Sequence, residues 1–130
     1  MSPIKNRRLS GPRTSFKGRV QLPAAALQAL RDAKDPDNAF EMCAESEGIR
    51  VAEIPATWFV ASEFRLRRTR GSGLVVRGER PCFFGAHIVQ FWVLARSAAA
   101  YTVLFTGRAD ALVVLPTRSN GYRDLQLVFV

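Results

Sequence analysis

The sequence is poor in the residues from which metal and catalytic centres are built. One histidine, His87, and two cysteines, Cys43 and Cys82, are all that its 130 residues provide, and the cysteines stand 39 positions apart with no C-x-x-C. These are too few ligands for a four-coordinate zinc site made by one chain from Cys and His, and the lone pair argues against a disulfide framework. The chain therefore reads as a reduced, intracellular protein without a metal. No Walker loop, G-x-S-x-G or H-E-x-x-H occurs, so neither an enzyme nor a cofactor is expected. A continuous apolar span is missing as well. Between Pro81 and Gly107 only Arg96 is charged, yet Gly85, His87, Gln90 and Arg96 break the segment into short pieces, against the roughly 20 unbroken residues that cross a bilayer. Two buried strands and no membrane partner are expected there, and the lack of a secretory apolar region near the start points to the cytoplasm.

Lysine and acid are the other scarcities. Only Lys5, Lys17 and Lys34 stand beside 16 arginines, and 11 acids leave a formal net charge of +8. Such a balance favours a polyanionic partner. The planar guanidinium fork suits bidentate phosphate contacts, although codon bias in a GC-rich genome would give the same excess of arginine. The charge is not spread evenly. Residues 1–23 carry a net +6, residues 24–63 a net −5 and residues 64–80 a net +5, with +2 over the remainder. Two basic blocks thus flank an acidic one.

An apolar fraction of 48% is enough for a folded core in one domain. Residues 1–12, with Pro3, Gly11 and Pro12 and no apolar periodicity, read as a flexible basic arm. TSFKGRVQL at 14–22 reads as a strand interrupted at Gly18. AAALQALRDAK at 24–34 reads as a short helix primed by Pro23 and ended by the DPDN turn. Phe40, Met42 and Ala44 alternate with Glu41, Cys43 and Glu45, which predicts a strand over 39–45, a tight turn at 46–48 and a second strand over 49–54. TWFVASEFRLRRTR at 57–70 fits either a helix or a strand. GLVVRGE, ALVVLP and DLQLVFV are further strands, the last two on either side of the turn RSNGYR. The expected fold is mainly β with one or two short helices, an α+β chain.

The order Gly18, Arg19, Val20, Leu22, Pro23, then a helix ending Ala29-Leu30, an acidic loop, Ala-Phe-Glu-Met, Glu47-Gly48 and Ile54-Pro55, covers about a third of the chain. This segment, 13–55, resembles the AbrB-type swapped-hairpin DNA-binding family, which includes MazE-like antitoxins and MraZ regulators. The resemblance implies that two copies interlock their strands into one barrel, giving a homodimer. A β-rich second half, 56–130, would follow, either separate or packed into the same domain. The resemblance further implies a small transcriptional regulator or antitoxin-like factor with Arg13, Lys17 and Arg19 facing DNA, and an arm whose Lys5, Arg7 and Arg8 reach neighbouring phosphates.

The second basic block, FRLRRTRGSG, reads as an exposed hairpin tip and adds Arg65, Arg67, Arg68 and Arg70 as candidate DNA contacts. Trp58, Phe59, Phe64, Tyr101 and Tyr122 are either base-stacking residues or core. Two other readings stay open. One is a non-enzymatic, oligomeric structural or protein-interaction module whose subunit interface is the apolar 81–107 segment. The other is nucleotide chemistry at Tyr122 and Arg123, where the ending resembles the Gly-Tyr-Arg strand of RelA/SpoT-like nucleotidyltransferases. His87 beside Cys82 reads as a core pair, and Glu45 and Glu47 as solvated faces of a hairpin.

Overall fold

In a computed structural model the residues described are 7–10, 19–65, 72–85, 88–98, 100–119 and 122–128. The chain is mainly β with two helices. Its elements run β1 (Arg7–Ser10), β2 (Arg19–Val20), α1 (Ala24–Asp32), α2 (Ala39–Glu47), β3 (Phe59–Arg65), β4 (Ser72–Gly78), β5 (Phe84–Gly85), β6 (Ile88–Ser97), β7 (Ala100–Ala109), β8 (Ala111–Ser119) and β9 (Tyr122–Val128). An open antiparallel sheet has the order β2-β3-β4-β6-β7, with β5 beside β6 beyond the end of β4. A second sheet, β1-β8-β9, forms separately.

Both faces of the larger sheet are covered. Phe59, Ala61, Leu74, Val76, Trp92 and Leu94 point to the helices, while Val60, Phe64, Val75, Phe91 and Val93 point the other way and meet Leu112 of β8. Strands buried on two sides read as continuous apolar runs, which is why GLVV and the 88–95 segment look so hydrophobic. Of the two buried strands expected within 81–107, β6 is buried through its middle, whereas β7 is exposed or half-buried except at Ala109, and the short β5 precedes them. Among the described residues no helix is long and apolar enough to cross a membrane.

Helix α1 forms as its sequence predicts. Pro23 stands at the N-cap and its carbonyl accepts from Leu27 N at 2.9 Å, while Ala26, Leu27 and Leu30 are buried.

The strands expected over 39–45 and 49–54 do not form. Residues 39–47 are helix α2, and Val51–Glu53 is a single 3-10 turn. The apolar alternation at 40, 42 and 44 misled, because burial follows a helical period instead: Ala39, Phe40, Cys43 and Ala44 are inside while Met42 is 57% exposed. Ala, Glu and Met are good helix formers, and the ends of the segment are capped. Asp35 accepts from Asp37 N and Ala39 N at 2.9 Å each. Gly48, at φ 70°, closes the helix through Ile49 N to Ala44 O at 3.0 Å, a left-handed position that glycine takes without cost. The strand material for a swapped hairpin is therefore absent from 39–54, and the sheet is not closed into a barrel.

Two further expectations change. The proposed arm, 1–12, contains β1, which pairs with β8 from Arg7↔Val114 to Ser10↔Ala111. Cys43 and Cys82 are not free thiols but form a disulfide, with Cα atoms 5.1 Å apart, a separation that suits a bridge. Helix α2 packs on the 3-10 turn Pro81–Phe83, and that contact, invisible in a spacing of 39 residues, brings them together. Around the bridge Phe40, Phe59, Phe83 and Trp92 form a mutual cluster with ring centroids 5.2–6.2 Å apart. Phe83 lies so close over Gly78 that a Cβ there would overlap its ring.

A bridge closing a loop of this length stabilises by about 4 kcal/mol through the unfolded chain. Reduction should lower the thermal midpoint by roughly 15 °C, read by circular dichroism with and without reductant; an unchanged midpoint would show that the bridge does not hold α2 in place.

Candidate nucleic-acid interface

The arginines divide into those the fold uses and those it leaves in solvent. Arg77 is the most enclosed. Its side chain, 1% exposed, donates from Nε and Nη2 to Glu79 Oε2 at 3.0 and 2.8 Å. Arg80 donates to Glu47 Oε1 at 2.6 Å and lies 4.5 Å above the Trp58 ring centroid. Arg31 Nη2 donates to Ile54 O at 2.9 Å, tying α1 to the chain after α2. Arg108 Nε donates to Gln90 Oε1 at 3.3 Å, and Arg50 pairs with Glu53. Each of these is explained by the structure it serves.

Arg19, Arg65 and Arg96 are different. All three are exposed and make no ion pair with a carboxylate among the described residues, and Arg96 Nε donates to Ala98 O at 3.1 Å. Register shows how they are arranged. Arg65 pairs with Ser72, Gly73 with Ala95, and Arg96 with Tyr101, so Arg65, Ser72, Arg96 and Tyr101 form one row across four strands at one end of the sheet. At about 4.8 Å per strand, Arg65 and Arg96 are roughly 10 Å apart. Both occupy positions on the helix-bearing face. Arg19 lies opposite Ser62, three residues from the row and on the other face.

Comparison with protein-family models, with curated proteins and with solved structures finds no match for this chain. The interface therefore rests on its own geometry.

Of the residues singled out by sequence, Arg65 stands in the row, and Arg19 stands near it on the opposite face. Arg7 and Arg8 belong to β1 in the second sheet and are not brought to this end by any pairing. Arg13, Lys17, Arg67, Arg68 and Arg70 lie outside the described residues, as does His87. Phe59 and Phe64 are buried, one in each core, and Trp58 is covered by Arg80. Tyr101 is half-buried at the end of the row. Glu45 and Glu47 are solvated as expected, but on α2 rather than on a hairpin. Cys82 is bridged, so it offers no thiol to a neighbouring histidine. Among the described residues no group of three or more His, Cys, Asp or Glu could hold a metal ion. Sequence reading missed Arg96, whose pairing with Tyr101 becomes visible only once SAAA is taken as the link of a hairpin.

The division predicts unequal mutants. Arg77→Ala should destabilise by about 3 kcal/mol, since it empties a buried site and leaves Glu79 unpaired, whereas Arg65→Ala should stay within about 0.5 kcal/mol. Urea denaturation midpoints measure both, and equal effects would remove the distinction.

Proposed function

We propose that the chain is a non-enzymatic nucleic-acid-binding protein, DNA being the partner its sequence suggests, and that it contacts phosphates at the arginine-rich end of the larger sheet. The register that aligns Arg65 with Arg96 carries this reading. Both are exposed and make no ion pair with an acid among the described residues, whereas Arg77 and Arg80 are held by Glu79 and Glu47. Arg67, Arg68 and Arg70 belong to the same basic stretch of sequence and lie outside the described residues. Binding of this kind requires no chemistry: cations displace counterions from phosphates.

The bridged cysteines bear on the setting. A core disulfide persists in oxidising compartments and is rare in the reducing cytosol. The reading therefore takes nucleic-acid binding without the regulatory or antitoxin role that the AbrB-type resemblance implied, and it needs no swapped hairpin.

A second reading, an oligomeric interaction module, is favoured by β7. Among the described residues this strand pairs only with β6, and its Leu104 is 49% exposed. Open strand edges are templates for pairing.

Fluorescence anisotropy over a salt series tests the first reading. Log K should fall linearly with log salt, and Arg65→Gln with Arg96→Gln should reduce the slope by about 1.5 while light scattering reports an unchanged mass. No binding at low salt would overturn it, and altered mass with unaltered binding would favour the second reading.

A further inference from the structure

We infer that the nucleic acid accepted at this end is a single strand, one base of which stacks on Tyr101. The inference rests on the phosphate-binding reading above and adds to it the state of the ligand.

Among the aromatic residues whose surroundings are described, Tyr101 is the one beside Arg96, and it packs in part against the helix-side core. It stands directly opposite Arg96, and it lines an open cleft of about 490 Å³ between the end of α1 and strand β7. Lys34 and Leu104 line the same cleft. A β-bulge explains the leucine. Leu94 pairs with Val103 and Val93 with Phe105, which leaves Leu104 without a cross-strand partner and turned to solvent. Bulges re-aim side chains in this way and recur beside functional sites.

The cleft therefore places Tyr101 beside Lys34, with Arg96 opposite Tyr101 in the sheet. That combination fits a flat base tied to a phosphate: the base stacks on the exposed part of Tyr101, and neighbouring phosphates reach Lys34 and Arg96, with Arg65 further along the row. The one carboxylate at the cleft, Asp32, accepts from Gln28 Nε2 at 2.9 Å, which offsets part of its repulsion. A duplex keeps its bases stacked inside and offers this end only phosphates, whereas an unpaired base presents a free face to an aromatic side chain.

The test uses the full, oxidised chain and two probes, an oligothymidylate and a DNA duplex of the same length, measured by anisotropy at low salt. The single strand should bind more tightly than the duplex. Tyr101→Ala should weaken it about tenfold with the duplex Kd unchanged, and Tyr101→Phe, which keeps the ring, should restore binding. Thermal midpoints check that both variants fold. If Arg65→Gln with Arg96→Gln weakens both probes but Tyr101→Ala weakens neither, phosphate binding stands and the stacking inference falls. If Tyr101→Ala changes the mass of the particle and not its affinity, the cleft is a protein contact and the inference falls. If neither probe binds, the reading beneath it falls as well.

Discussion

Strands β4 and β6 are buried on both faces, and a sheet in that position needs a cover on each side. On one side the cover is α1 and α2, held by the aromatic cluster and the Cys43–Cys82 bridge. On the other, Leu112 of β8 meets Val75, Phe91 and Val93. Because the centre is committed to packing, solvent-facing chemistry is pushed to the ends and edges of the sheet. The arginine row stands at such an end, and the open cleft beside β7 at such an edge.

Charge follows the same division. The acidic block supplies Asp35 to cap α2 and Glu47 to hold Arg80, so several of its carboxylates have local structural tasks. The second basic block splits in two. Arg77 and Arg80 are enclosed by Glu79, Glu47 and Trp58, whereas Arg65 is left in water. A net charge of +8 is thus a poor guide to the partner until the arginines serving the fold are set aside.

Much of the fold was legible where a single physical signal dominated. Pro23 and the run of helix formers announced α1, and β4, β6, β7, β8 and β9 followed from apolar runs broken by Gly, Asn and Pro. The failures came where two signals competed. In AFEMCAESE the period-two alternation opposed helix propensity and the Asp35 and Gly48 caps, and the caps won. The disulfide depended on a contact between α2 and the turn at 81–83, which no spacing rule encodes. At the candidate site Arg65 and Tyr101 were visible as residue types, but Arg96 needed the strand register that places it between them.

The central claim is that the polyanion contacts gather at one end of the larger sheet. Backbone amide shifts of the isotope-labelled, oxidised protein, followed during titration with oligothymidylate at low salt, test it most directly. The account predicts that the largest changes fall at Arg65, Ser72, Arg96 and Tyr101, with α2 and the β1-β8-β9 sheet little moved. Changes confined to the second sheet, or none at all, would contradict it.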